Sequence, residues 1–199
     1  MQARLKTPIK EEDVRKLNVR DIVYLDGIIY TGRDEVHIHA LEQAEHGEKP
    51  PVDFKGMALY HCGPIMKKVG EEWKLVAAGP TTSSRMNSLE PKFIEKFRPS
   101  AIIGKGGMSQ PTIDAMSKFG AVYLAITGGA AVLAAKGITK VHGVHWFEFG
   151  MPEAIWVLEA NNFGPLIVAI DSKGKSMFAD IDSKVKGNID KAKKMLKLA

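Results

Sequence analysis

The chain has 199 residues, 45% hydrophobic and 26% charged, a balance that suits one domain with its own core and excludes a disordered polar segment. A formal charge of +5 favours anionic partners, acidic metabolites and nucleic acid alike, without choosing between them. No run of about eighteen apolar residues occurs, and Met1 to Lys6 hold no apolar signal core, so the expected location is the cytoplasm, without membrane insertion.

In chain order, residues 21–25 and 27–31 read as two short strands joined at Asp26-Gly27, a strong hairpin dipeptide. Residues 33–46 read as a helix stopped by Gly47, and Glu48-Lys49-Pro50-Pro51 as a loop that no helix could cross. Strands resume at 57–61 and 73–78. Residues 101–103 form a short buried-type strand, 109–119 a helix with Ser109 as N-cap and Gly120 as stop, and 121–126 another strand. Thr127-Gly128-Gly129 then opens a helix over 130–136, closed by Gly137. This β-α-β-α order predicts parallel strands with helices packed on them. After Lys140 strands return, with Asp171-Ser172-Lys173-Gly174 turning between 166–170 and 176–178. The lysine-rich stretch 184–198 reads as a helix with a narrow apolar stripe of Ile189, Ala192 and Leu196 and one solvated face. It holds no aromatic residue for base stacking, which argues against nucleic-acid binding there. With no repeat and no linker, the expectation is a single domain over 1–199 with β, β and α layers.

Two segments concentrate chemistry: Gly79-Pro80-Thr81-Thr82-Ser83-Ser84-Arg85-Met86 and Gly104-Lys105-Gly106-Gly107-Met108. Strand ends that feed helices offer free N–H groups and a positive dipole end, and three such junctions are expected at 81–85, 104–109 and 127–130. Arg85 can grip a carboxylate with two parallel hydrogen bonds, and Lys105 adds a point charge, so the pair suits a dicarboxylate. The bland alternative is that the glycines serve tight turns and close packing. The segment from Gly104 lacks the last glycine of a dinucleotide fingerprint, and no Gly-Lys-Ser/Thr phosphate loop occurs. Thr82, Ser83 and Ser84 read as capping hydroxyls.

The histidines do not suggest a metal site: His37 and His39 fall on different helix faces, and His142 and His145 lie three apart in a strand-like segment. His37 is better grouped with Arg33 and Asp34 at a helix start that could aim Arg33 at an anion. Cys62 is the single cysteine, so the chain can form no internal disulfide and cannot alone supply the thiolates of an iron–sulfur cluster.

Together, Thr31-Gly32-Arg33-Asp34-Glu35-Val36-His37, the segments from Gly79 and Gly104, Ala121-Val122-Tyr123-Leu124 with Gly128-Gly129-Ala130-Ala131, Glu153-Ala154-Ile155-Trp156 and Ile170-Asp171-Ser172-Lys173-Gly174 carry a resemblance. In this order they resemble the β subunit of class I fumarate hydratase, and also the related L-tartrate dehydratase β subunit, from about Leu5 to Phe178. The resemblance implies a swivelling β/β/α three-layer domain, equivalent to the C-terminal part of fused enzymes. It implies a fumarase α subunit as partner in an α2β2 assembly, a [4Fe-4S] cluster on that partner and none on this chain, and reversible hydration of fumarate to (S)-malate. By motif, Arg33, Arg85 and Lys105 would hold the substrate carboxylates and Thr81, four residues before Arg85, would be the proton-transferring hydroxyl. A threonine hydroxyl is a weak base and needs an activating neighbour, which the sequence does not identify. Ile38 and His39 depart from the basic residue that fumarases often carry after the histidine. Tartrate or a methylated fumarate as substrate, and a non-enzymatic anion- or RNA-binding module, are the alternatives.

Overall fold

The computed structural model describes residues 1–129 and 131–197. In chain order the elements are β1 (Gln2–Lys6), α1 (Glu11–Val14), β2 (Ile22–Thr31), α2 (Asp34–Glu45), β3 (Ala58–Tyr60), β4 (Ile65–Val69) and β5 (Glu72–Ala77). There follow a 3₁₀ turn (Ser83–Met86), α3 (Glu90–Phe97), β6 (Ala101–Gly104), α4 (Gln110–Phe119), β7 (Val122–Ala125), α5 (Ala131–Lys136) and β8 (Ile138–His145). A second 3₁₀ turn (Phe147–Phe149), β9 (Ile155–Ile170) and α6 (Met177–Met195) complete the fold. Ala130, the expected first residue of the fifth helix, and Leu198, in the expected C-terminal helix, lie outside the described residues.

Ala58-Leu59-Tyr60 and Ala101-Ile102-Ile103-Gly104 are buried at every position, the pattern of parallel strands covered on both faces. Strands β2, β3, β6 and β7 are parallel neighbours, as the β-α-β-α order predicts. The 16-residue β9 runs antiparallel to them and pairs with both β7 and β2, so these five strands close into a barrel-like ring with β1 and β8 as flanking edges. Alternation then sorts the side chains. Tyr60, Ile103 and Leu124 point inward against Leu25, Leu158, Phe163 and Trp156. Leu59, Ile102 and Tyr123 point outward under α2, α3 and α4, against Val36, Phe93, Ile113 and Met116. Each large apolar side chain so enclosed contributes about 1.5–3 kcal/mol.

Three expectations change. Asp26-Gly27 makes no hairpin: β2 runs straight through it, with register shifts against β9 between Val23 and Leu25 and between Leu25 and Gly27. Pairing with β1 on one side and β9 on the other holds the strand together, so the glycine bends it as a bulge. Residues 176–178 are not a strand. Asp171 does make the expected turn, accepting the N–H groups of Lys173 and Lys175 through Oδ1. Ser176 then caps α6 by accepting the Ala179 N–H. Lastly, β4 has no counterpart in the sequence reading, because Lys67 and Lys68 on a two-stranded ribbon with β5 obscure its pattern. Ile189 and Leu196 of the expected apolar stripe are exposed on α6. No helix among the described residues is long and apolar enough to cross a membrane.

Gly27 has φ +89°, and a Cβ there would stand 2.6 Å from Thr7 Oγ1. Gly27→Ala is therefore expected to destabilise the chain by about 1–3 kcal/mol. Denaturant unfolding that matched the native midpoint would rule out the strained bulge.

Candidate active site at the carboxyl ends of the parallel strands

Because β2, β3, β6 and β7 run parallel, their carboxyl ends share one edge, the side on which parallel α/β sheets, open or closed into barrels, bind ligands. The sequence places Gly32-Arg33, His61-Cys62-Gly63, Lys105 and Thr127-Gly128-Gly129 directly after these four ends. The segment from Gly79 threads between two of them. Thr81 N–H donates to His61 O at 2.7 Å, Lys105 N–H to Thr81 O at 3.3 Å, and Ser83 N–H to Lys105 O at 3.0 Å. Thr81 and Lys105 are thereby adjacent across backbone bonds. The same bonds correct an expectation: the N–H groups of Thr81, Ser83 and Lys105 are occupied within the chain, that of Arg85 reaches Thr82 O, and that of Ser109 reaches Asn87 Oδ1. At these five positions the backbone N–H groups are already taken, and the side chains are what remains to meet a ligand.

Arg33 stands immediately before α2, its Nη2 2.9 Å from Glu153 Oε1. Glu153 Oε2 also accepts the Glu35 N–H at 3.3 Å, so one carboxylate from the approach to β9 occupies the start of α2 and steadies Arg33. A Cβ on Gly63 would lie 2.5 Å from Arg33 Nη1, which makes glycine the residue that admits this guanidinium. Arg33 Nε is buried without an acceptor among the described residues. Arg85, on the first 3₁₀ turn, places Nη2 2.7 Å from Asp34 Oδ2 while its side chain stays 49% exposed. Lys105 makes no ion pair among the described residues. Three cations thus face two carboxylates, Asp34 and Glu153, leaving one net positive charge.

Behind these loops lies a polar cluster with no solvent exposure: His37, His61, Ser83, Glu90 and Tyr123. Glu90 Oε2 is 3.2 Å from His37 Nε2 and 3.0 Å from His61 Nε2, the second contact lying off the axis of a well-formed hydrogen bond. His37 Nδ1 is 2.7 Å from Arg33 O, His61 Nδ1 is 2.9 Å from Ser83 Oγ, and the Tyr123 hydroxyl donates to Ser83 Oγ at 3.0 Å. Burial opposes charge on His37, but the Glu90 carboxylate outweighs it and holds this imidazole above its ordinary value. Burial likewise opposes charge on Glu90, and the two imidazoles reverse it, keeping the carboxyl well below the usual range. For His61 burial prevails, aided by His37, and the ring stays neutral. Burial also pushes the Cys62 thiol up to about 12, so it is protonated near neutrality.

Of the residues singled out in the sequence, Arg33, Thr81, Arg85 and Lys105 all stand on segments meeting at this edge. His37 does group with Arg33, through the Arg33 carbonyl, and its other ring nitrogen meets the Glu90 carboxylate. Ser83 is not a capping hydroxyl but a member of the buried cluster. Glu90, His61, Gly63 and Glu153 were not identified as site residues. Glu90 gives a local signal only as a charged residue fully buried at a helix start, which sequence alone does not reveal. His37, His61 and Glu90 are the one group of potential ligands among the described residues whose donor atoms lie within 4.8 Å of one another. Of these atoms, His37 Nε2 is paired with Glu90 Oε2, while His61 Nε2 and Glu90 Oε1 have no hydrogen-bond partner among the described residues.

A family model described as the fumarase C-terminus matches residues 1–181. A Methanocaldococcus jannaschii protein named "Putative L(+)-tartrate dehydratase subunit beta" is 50% identical over 178 residues, covering 89% of this chain and 91% of that protein. The "L(+)-tartrate dehydratase subunit beta" of Escherichia coli K12 is 43% identical over 181 residues, covering 90% of this chain and 88% of that protein. A Geobacillus stearothermophilus protein named "Putative fumarate hydratase class I" is 44% identical over 179 residues, 89% of this chain but 34% of that protein.

The buried charges give stability a defined pH window. Glu90, with its carboxyl depressed, stabilises the fold fully above about pH 4.3 and loses that contribution as pH falls through its native value. His37, raised, stabilises fully below about pH 6.5 and loses the contribution as pH rises through its native value. His61, Asp34 and the Arg33 carbonyl face the pair as well. Relative to Glu90→Gln, the native chain is expected to be more stable by about 3–5 kcal/mol between these limits, with the difference shrinking on either side. A difference constant from pH 4 to 9 in denaturant titrations would contradict a charged pair.

Proposed function

The chain belongs to the fumarase C-terminus family, and on that premise we propose that it is the β subunit of a two-subunit hydro-lyase acting on a four-carbon diacid. The observation that carries the reading is that the segments bearing Arg33, Thr81, Arg85 and Lys105 meet at one edge of the parallel strands. The preferred reaction is reversible hydration of fumarate to (S)-malate. L-tartrate dehydration is the second reading, favoured by the names of relatives 50% and 43% identical to this chain. The swivelling β/β/α three-layer description belongs to the same proposal, supported by helices on one face of the parallel strands and antiparallel strands on the other.

In this reading the cations bind the two carboxylates of the diacid. Removing a proton from the carbon beside a carboxylate drives charge onto that carboxylate, and cations already fixed there stabilise it. Lys105, unpaired among the described residues, and the Arg33 Nε without an acceptor are the groups of this chain most ready for that charge. Thr81 is held by its own N–H and carbonyl, which fixes where its hydroxyl starts and suits proton transfer at the reacting carbon. The donor set of this chain does not fit an iron–sulfur cluster, since Cys62 is buried and its thiol is raised to about 12. The proposal therefore assigns the [4Fe-4S] cluster to an α subunit, with an α2β2 assembly, and routes no step of this chain through it.

The test is anaerobic mixing of this chain with its cluster-loaded partner, with each alone as control, while fumarate, malate and L-tartrate are followed. Turnover only in the mixture is expected; assembly without turnover of any of the three would sink the reading. In the assembled enzyme, Thr81→Val is expected to lower kcat by about 10²-fold with assembly intact. Arg85→Lys should raise KM and lower kcat/KM by about tenfold, since lysine cannot reproduce the planar fork. Kinetics unchanged in either variant would remove that residue from the site.

A further inference from the structure

We propose that Glu90 is a positioning residue: its buried pair with His37, extended through His61, Ser83 and Tyr123, holds the loops that carry Arg33, Thr81, Lys105 and Arg85. The activity readout rests on the hydro-lyase reading above.

The partners fix where the protons lie. The Arg33 carbonyl, 2.7 Å from His37 Nδ1, can only accept, so that nitrogen carries a proton. An ionised Glu90 can only accept as well, so His37 Nε2, 3.2 Å away, carries another and the ring is an imidazolium. The Tyr123 hydroxyl donates to Ser83 Oγ, leaving the Ser83 proton for His61 Nδ1 and a proton on His61 Nε2, which stands 3.0 Å from Glu90 Oε2 but off the axis of a hydrogen bond. Donors therefore run in one direction from Tyr123 to His61, whose Nε2 meets the carboxylate as a close polar contact, and from His37 to the same oxygen.

Three members touch a site residue through its backbone, and Glu90 and Tyr123 act through them. His37, one helical turn into α2, holds the Arg33 carbonyl. The His61 carbonyl takes the Thr81 N–H, and the Ser83 N–H goes to the Lys105 carbonyl. Ser83 sits midway between Thr81 and Arg85, and a Cβ on Gly104 would overlap its Oγ, so glycine at the end of β6 makes room for the relay. Charge inside a fold is costly unless paired, and a carboxylate clamped by imidazoles from α2 and the β3 end fixes those two elements against α3. Misplacing catalytic groups by about 1 Å can cost about 10²-fold in rate.

Two measurements test this. In the full chain, nitrogen NMR of the histidines should show His37 protonated on both ring nitrogens at pH 7 and neutral in Glu90→Gln. A neutral His37 in the native chain overturns the proposal, as does stoichiometric divalent metal by elemental analysis, which would make the three residues ligands. In the assembled enzyme, Glu90→Gln should lower kcat/KM by about 10- to 100-fold with KM raised, and Glu90→Asp should restore part of the loss. A purely structural role would lower the active fraction and leave KM unchanged, which also overturns the proposal. Should Glu90→Gln not fold, Tyr123→Phe removes only the relay's first hydroxyl and should cost about fivefold, about one hydrogen bond; native kinetics there would count against the relay. If the native assembly turns over none of the diacids, the functional reading fails, and the imidazolium measurement decides the network independently.

Discussion

One buried carboxylate between two imidazoles is the constraint around which this molecule is arranged. Glu90 opens α3 where no water reaches, and an unpaired charge there would cost far more than any single apolar contact returns. His37 and His61 resolve this by coming from α2 and from the end of β3, so electrostatic necessity brings together elements distant in sequence. Ser83 and Tyr123 complete the donor pattern around His61, leaving Glu90 Oε1 as a buried oxygen without a partner. The cluster belongs to the scaffold chemically and to the site spatially.

The sheet supplies the rest of the frame. Four parallel strands end at one edge, and β9 closes them into a ring by pairing with the strands at both ends. Side chains of alternating residues then fill two cores, one within the ring and one beneath the helices. The loops at the shared edge thus grow from rigid strand ends and can carry exposed cations while their backbones stay fixed.

What the sequence made legible was local. Short apolar runs such as Ala101-Ile102-Ile103, the stop at Gly120 and the turn at Asp171 depend on neighbours, and all three stand in the structure. Asp26-Gly27 misleads because its local preference for a hairpin yields to pairing with β1 and β9 on opposite sides. Residues 176–178 mislead because a serine cap outweighs three residues that would also suit a strand. Linked motifs single out Arg33, Thr81, Arg85 and Lys105 as candidates, whereas their surroundings are not legible: Arg33 meets Glu153 and Glu90 meets His37 across long separations, and no periodicity encodes such pairs. Some of the N–H groups expected to be free, those of Thr81, Ser83 and Lys105, are taken by backbone bonds along the threaded segment from Gly79.

The two arginines already hold carboxylates of their own chain, Glu153 and Asp34, and this makes the edge an ion exchanger. An incoming acid must displace or share these internal counter-ions, and a single carboxylate would replace only what it removes. On the proposed diacid reading, two incoming charges would meet three cations and could also engage Lys105, so discrimination against monoacids would follow from competition within the protein as much as from shape. Salt in solution enters the same competition, most strongly at the half-exposed Arg85, which couples substrate retention to ionic strength.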